Sequence, residues 1–207
     1  MPYLTKESVY QDARIFAQHI VIAIDCLDQS RAMVKIFCDP KFSSRYKDAP
    51  HFFRTVYHAM RFRFEIEIDK LFDTKSKSFD SFKNHLIQNN MLSNEAAIAY
   101  KNAKREAKRD LKQIHARRNK IQAHSDAKTF NDPDVFSEEH PFCEDNVRKL
   151  LICMLNICNR IIFTYTEIGI AQLYGLGNSD DFVRLFGCET DFDKQDREFY
   201  KSMGIKQ

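Results

Sequence analysis

Apolar residues recur along most of the chain at steps of three and four positions, which is the spacing of one face of an α-helix. This pattern predicts a first helix from about residue 6 to 27 that continues to Phe37, where Asp39-Pro40 ends it. It predicts a second helix over residues 51–72, although residues 62–69 also alternate like a strand. The length of the apolar pattern favours the helix over the strand in that segment.

The second half of the chain carries the most apolar stretch. After a short helix that ends at Asn89-Asn90, a long basic helix is predicted from its N-cap Ser93 to about residue 126. A loop then leads to the most apolar helix, over about residues 144–173, whose apolar side chains cover several faces. Such a helix is expected at the centre of a bundle or at a subunit interface.

Composition agrees with an all-α fold. The chain has 207 residues, 43% of them hydrophobic, with 18 Phe but only 5 Gly and 5 Pro, which argues against a turn-rich β fold. We predict a bundle of about five main helices over residues 1–175. Residues 176–207 are predicted to form an acidic, short helical C-terminal extension of the same domain.

Charge is concentrated on the long basic helix. Between Lys101 and Lys120 nine basic residues accompany two acidic ones, although Lys and Arg exceed Asp and Glu by only three over the whole chain. Six of these basic residues form a stripe that suits the phosphates of single-stranded RNA, with Tyr100 and His115 as possible stacking groups. A solvated helix face would have the same pattern. The stripe consists of Lys101, Lys104, Arg105, Lys108, Arg109 and Lys112.

Several classes of site have no support in the sequence. The six cysteines form no Cys-x-x-Cys pair and no zinc spacing, and no Gly-rich phosphate loop or serine elbow occurs. We therefore expect no metal and no cofactor. No signal peptide precedes Val9, and the apolar segment 150–166 is too short and too polar to span a bilayer. We therefore expect a cytoplasmic protein with reduced thiols and no membrane association.

Residues 118–124 gather an arginine, an amide and a histidine at the end of the basic helix. Arg118 is the next position on a predicted apolar face, within about 20° of the mean direction of its side chains. A guanidinium on that face needs a partner or a function, and an arginine paired with a buried carboxylate is the ordinary alternative. The face consists of Tyr100, Ala103, Ala107, Leu111 and Ile114.

The stretch from Arg118 to Asp126 resembles the motif of the HEPN superfamily, in which an arginine, commonly followed by a polar residue, precedes a histidine late in a helix. It is most similar to the abortive-infection AbiU-like branch, where Arg, a polar residue, Lys, an apolar pair, and His then Asp recur. The resemblance implies a helical bundle whose two copies face each other across a homodimer and form one composite site. It also implies metal-independent endoribonuclease activity in prokaryotic defence or toxin action, with RNA as substrate and an antitoxin or other regulatory protein as a possible partner.

The resemblance also assigns roles to three residues. His124 would act as the acid or base on the ribose 2′-hydroxyl or the leaving oxygen, because an imidazole exchanges protons near neutral pH. Arg118 would hold and neutralise the scissile phosphate, and Asn119 would hydrogen-bond it or orient the other two. A non-catalytic helical module that binds a protein or RNA partner is the alternative function.

The spacing of the motif leaves two questions open. Six residues place His124 roughly 120° from Arg118 on a straight helix, so either the helix distorts or His124 completes the site from the other copy. Arg117 lies seven residues before His124 and is the competing phosphate ligand. Asp126 could support the site by orienting His124, or it could simply cap the helix. The tyrosine that some HEPN toxins carry after the histidine is absent.

Overall fold

The computed structural model describes residues 5–40, 47–73, 77–123 and 140–167, and these residues contain six α-helices and no β-strand. The all-α prediction is confirmed, and residues 62–69 belong to a helix. The last helix is described as far as Thr166, and the C-terminal extension lies outside the described residues. In chain order the helices are α1 (Lys6–Cys38), α2 (Pro50–Phe72), α3 (Phe79–Gln88), α4 (Asn94–Glu106), α5 (Lys108–Ala123) and α6 (Glu144–Thr166).

The described residues fall into two compact units, one up to Leu27 and from Arg61 onward, the other from Asp28 to Met60. In the first unit α6 packs against α4 and α5, and its buried face continues the apolar core of α1 to α4. In the second unit the rings of Phe37 and Phe53 lie 5.3 Å apart. The candidate motif belongs to the first unit. Buried side chains at the centre of its core include Ile20, Leu27, Phe64, Phe79, Leu86, Tyr100, Leu150 and Leu151.

The strand-like alternation in α2 has a physical origin. Phe64, Ile68 and Leu71 are buried at helical spacing, but Glu65 and Glu67 are buried as well. Both acids have cationic neighbours, since Glu67 lies 2.7 Å from the Arg63 guanidinium and Glu65 lies beside an arginine of α5. Acidic residues that are buried with cationic partners therefore stand between buried apolar residues in the sequence, and the segment alternates like a strand although it is a helix.

Local hydrogen bonds explain where α3 ends and α4 begins. Asn90 adopts φ 55°, and the N–H of Met91 donates to the carbonyl of Leu86 at 2.8 Å, which is the pattern of a Schellman motif. Ser93 accepts a hydrogen bond from the N–H of Ala96 at 3.3 Å, so the predicted N-cap is confirmed.

The long basic helix of the prediction is two helices, α4 and α5, separated at Ala107 (φ −79°, ψ 0°). The predicted apolar face is also displaced by one residue at two positions. Asp110 is buried where Leu111 was predicted, and Arg117 is buried where Arg118 was predicted. Leu111 and Arg118 lie at the edge of the buried face and are partly exposed. An apolar periodicity cannot locate a face whose buried positions include charged residues, and this explains the displacement.

Asp110 caps helix α6 from a neighbouring helix. Its Oδ1 accepts a hydrogen bond from the backbone N–H of Cys143, the N-cap residue of α6, at 2.8 Å, and its Oδ2 accepts one from the Asn146 side-chain amide at 3.0 Å. Cys143 makes no side-chain cap of its own. The buried carboxylate therefore satisfies a donor that the helix end leaves open.

We expect Asp110→Ala to lower the free energy of unfolding by about 2 kcal/mol, because two donors at a buried site would lose their acceptor. Urea denaturation measures this loss. Glu106→Ala is the matched control, since Glu106 forms an exposed ion pair with Lys149 at 2.7 Å and its loss should lower the stability much less. Equal losses in the two variants would contradict the capping role of Asp110.

Candidate active site

An open cleft of about 660 Å³ lies between the C-terminal end of α2 and helix α5. Its floor is apolar and consists of Ile68, Phe72, Leu111 and Ile114. The side chains with charge or hydrogen-bonding groups lie along the same cleft, and they are Asp69, Asp73, Lys112, His115, Arg118 and Asn119. Two of the three residues predicted to be catalytic, Arg118 and Asn119, therefore share one cleft.

Four side chains in this cleft form a closed ring of contacts. Nδ1 of His115 lies 2.7 Å from Oδ1 of Asp69, and Nε2 of His115 lies 2.9 Å from the Asn119 amide nitrogen. Nη1 of Arg118 donates to Oδ1 of Asn119 at 3.1 Å and lies 3.3 Å from Oδ2 of Asp69. We name Asp69, His115, Arg118 and Asn119 the cleft ring.

Hydrogen-bonding rules fix the proton positions in the cleft ring. The Arg118 guanidinium only donates, so the oxygen of the Asn119 amide faces it and the amide nitrogen faces His115. The ionised Asp69 carboxylate only accepts, so Nδ1 of His115 carries a hydrogen. Nε2 therefore accepts a hydrogen bond from the Asn119 amide. This tautomer of His115 is assigned from its hydrogen-bond partners.

Arg117 occupies a different environment from its neighbour. Its side chain is 7% exposed, and its Nε lies 2.7 Å from Oε1 of Glu65, which is itself buried. The guanidinium also lies 5.4 Å from the ring centroid of Phe142. Burial raises the pKa of the Glu65 carboxyl above its usual value, and the nearby charges of Arg117 and Arg61 oppose that rise.

The two adjacent arginines therefore differ in what they can bind. The side chain of Arg118 is 31% exposed and faces the cleft, whereas that of Arg117 is enclosed with its carboxylate. A bound phosphate could reach the guanidinium of Arg118 without opening the core. The arginine paired with a buried carboxylate, the ordinary alternative considered for Arg118, is found at Arg117.

The remaining motif residues cannot be placed beside the cleft. His124 and Asp126 lie outside the described residues, and helix α5 is described to Ala123.

The basic stripe is divided between two surfaces. Lys112 lies on the cleft, and Arg109 is exposed. The Lys104 ammonium pairs with Asp80 and lies 5.3 Å from the ring centroid of Phe72. The other predicted members lie, together with Lys104, along a second groove of about 560 Å³, and they are Lys101, Arg105 and Lys108.

Tyr100 is not a stacking group for RNA. Its side chain is 1% exposed, and its hydroxyl donates a hydrogen bond to Asp80 at 3.0 Å. Tyr100 falls on the buried face of α4, where an aromatic ring contributes to the core. His115 differs, because 61% of its side chain is exposed.

Sequence reasoning missed Asp69 as a member of the site and assigned His115 only a stacking role. One signal was available, since His115 precedes Arg118 and Asn119 by three and four residues, the spacing at which helical side chains meet. Asp69 belongs to another helix: its charge allows it to pair with the basic helix, but no signal in the sequence selects His115 and Arg118 as its partners.

No three or more His, Cys, Asp or Glu side chains in the described ranges are grouped so that they could hold a metal ion. No helix in the same ranges combines the length and the apolar character that crossing a bilayer requires.

Comparison with known proteins identifies the family. A family model for HEPN-type proteins, described as AbiU2, matches residues 25–182, which include helices α2 to α6 and the whole Arg118 to His124 motif. The chain therefore belongs to the HEPN class and, within that class, to the AbiU2 family. No curated protein and no solved structure matches it.

Proposed function

We propose that this protein is a metal-independent endoribonuclease that acts through Arg118, Asn119 and His124. The observation that carries the proposal is the position of Arg118, which presents a partly exposed guanidinium to an open cleft and is directly followed by Asn119. Membership of the HEPN class supports the same activity.

The residues on the cleft suit cleavage of an RNA phosphodiester. Arg118 can bind two oxygens of the scissile phosphate through its planar fork and neutralise the charge that develops during attack. Asn119 accepts a hydrogen bond from Arg118, so it holds the guanidinium in one orientation. His124 would exchange the proton of the 2′-hydroxyl or of the leaving oxygen, for which an imidazole is suited.

We further propose that two copies of the chain supply one composite site, and that the protein acts in prokaryotic defence or as a toxin. In a symmetric dimer the same surface of each copy forms the interface, so a motif near the two-fold axis meets its own copy. His124 of one copy would then reach Arg118 of the other, which removes the angular mismatch within a single helix. An antitoxin or other regulatory protein is a possible partner.

A non-catalytic module that binds a protein or RNA is the second candidate. One observation favours it: the Asp69 carboxylate lies 3.3 Å from Nη1 of Arg118, where a phosphate oxygen would otherwise bind. A protein that uses Arg118 only to join α2 and α5 would show this contact and no cleavage.

Incubation of the purified protein with mixed RNA in excess EDTA tests the proposed function. The parent should cleave, and a folded Arg118→Ala, His124→Ala double variant should not. Products that end in a 2′,3′-cyclic phosphate and a 5′-hydroxyl would show that the 2′-oxygen attacks the phosphorus. RNA that stays intact with the parent, but binds to it, would favour the non-catalytic module.

The second groove is expected to contribute to RNA binding and not to the chemical step. A Lys101→Gln, Arg105→Gln, Lys108→Gln variant should raise KM about tenfold and reduce the slope of log KM against log salt by about 2, because fewer phosphates are neutralised. Steady-state kinetics between low and moderate salt measure both effects.

A control variant of equal charge loss tests whether position matters. Lys6→Gln, Arg14→Gln, Arg160→Gln removes three exposed positive charges of α1 and α6 that do not line the second groove. If this control weakens RNA binding as much as the groove variant, net charge and not the groove determines the affinity.

A further inference from the structure

His115 has no role in the proposed function, yet it lies in the same cleft as Arg118. Metal-independent RNA cleavage needs two proton transfers: a base removes the proton of the 2′-hydroxyl, and an acid protonates the leaving 5′-oxygen. The motif of each copy supplies one histidine, His124, and the proposed function assigns it to one of these two tasks. A second imidazole beside the scissile phosphate would complete the pair.

The geometry of His115 is that of an oriented base. Asp69 receives the Nδ1 hydrogen at 2.7 Å, so the lone pair of the ring lies on Nε2. Among the described residues, Nε2 accepts a hydrogen bond from the Asn119 amide at 2.9 Å, a neutral donor that a substrate hydroxyl could replace. A carboxylate behind an imidazole fixes its tautomer and stabilises the cation that forms when it takes a proton.

The position of His115 relative to Arg118 is also suitable. The two residues are three positions apart on α5, so their side chains lie on adjacent parts of one helix face. Both line the cleft, and 61% of the His115 side chain is exposed. The charged groups along the cleft around the imidazole are Asp69 of α2, Asp73 directly after α2, and Lys112 and Arg118 of α5.

We propose that His115 is a further catalytic residue of the proposed ribonuclease, the base that deprotonates the 2′-hydroxyl, and that Asp69 is its positioning residue. The inference rests on the proposed function. The 2′-oxygen transfers its proton to Nε2 and forms a bond to phosphorus. The bond from phosphorus to the 5′-oxygen breaks, and that oxygen takes a proton from His124. The products are a 2′,3′-cyclic phosphate and a 5′-hydroxyl, and no other reactant is consumed.

A substrate with sulfur in place of the leaving 5′-oxygen separates base from acid. A thiolate leaves without being protonated, so loss of the acid no longer slows the reaction, whereas loss of the base still does. We expect His115→Gln to lower the single-turnover rate about 100-fold on both the oxygen and the sulfur substrate. His124→Gln should be slow on the oxygen substrate and near parental on the sulfur one.

Two further variants control this experiment. His85→Gln replaces a histidine of α3 whose ring contacts the Asn89 amide and does not line the cleft, and it should cleave at the parental rate. Asp69→Asn should lower the rate about tenfold in the parent but add little to His115→Gln, because a residue that acts through His115 has no further effect once His115 is gone. A merely structural role of Asp69 would lower both rates equally. Thermal melting confirms that each variant is folded.

Each outcome decides between the inference and the proposed function. Parental cleavage by His115→Gln would overturn the role of His115 and leave the ribonuclease intact. Loss confined to the oxygen substrate would make His115 the acid and overturn its assignment as the base. Absence of cleavage by the parent would overturn the proposed function and this inference together.

Discussion

Replacement of Arg118 by alanine is expected to lower the rate of RNA cleavage by about 10³-fold under single-turnover conditions, because the guanidinium would stabilise charge that develops on the phosphate in the transition state. The fold should tolerate the change. The Arg118 side chain is already 31% exposed, and its contacts with Asp69 and Asn119 lie in the open cleft. The free energy of unfolding should therefore fall by only about 1 kcal/mol.

Two comparisons make this result specific to the position of Arg118. Arg118→Lys keeps the charge but loses the planar fork, so it should retain part of the activity. Arg160→Ala removes an exposed arginine of α6 that contacts Ser93, and it should cleave at the parental rate. If Arg118→Ala and Arg160→Ala are equally active, Arg118 does not bind the reacting phosphate.

Replacement of the adjacent Arg117 by alanine is expected to affect mainly the stability of the fold and not the chemical step. It should lower the free energy of unfolding by about 3–5 kcal/mol, because the buried Glu65 would lose its closest cation and would have to keep an uncompensated charge or take up a proton. The ring of Phe142 would also lose the guanidinium that lies 5.4 Å from its centroid. Urea denaturation followed by circular dichroism measures the loss.

A double replacement distinguishes a structural pair from a phosphate ligand. Glu65→Leu, Arg117→Met removes both charges and should recover most of the stability, since an apolar pair of similar size often replaces a buried ion pair without loss. If Arg117 has only a structural role, this variant should also cleave RNA at a rate near that of the parent. A stable but inactive double variant would instead indicate that Arg117, the competing candidate, contacts the substrate.

The helices were predictable from the sequence because each has apolar residues at helical spacing on one face, and because capping residues mark the ends of α3 and α4. Ser93 caps α4 as predicted, and α3 ends at Asn89-Asn90 with a left-handed residue. The division at Ala107 was not predictable in the same way. Alanine is a good helix former, and nothing in its type marks a break.

The cleft was only half predictable. Arg118 and Asn119 belong to a motif that a single segment of sequence contains, and both lie on the cleft. Asp69 comes from a different helix, and periodicity within one helix carries no information about which residues of another helix it meets. The buried positions of Asp110 and Arg117 were missed for a related reason: their burial depends on partners, Cys143 and Glu65, that local sequence does not identify.

The most direct test of a composite ribonuclease site is the activity of two inactive variants after they are mixed. Arg118→Ala and His124→Ala proteins are purified separately, checked for folding, mixed so that subunits exchange, and assayed on RNA in EDTA. In mixed dimers, which make up about half of a fully exchanged mixture, the composite site would contain an intact Arg118 from one copy and an intact His124 from the other, so up to about half of the parental activity should return. A mixture as inactive as either variant, beside an active parent, would contradict a site shared between two copies.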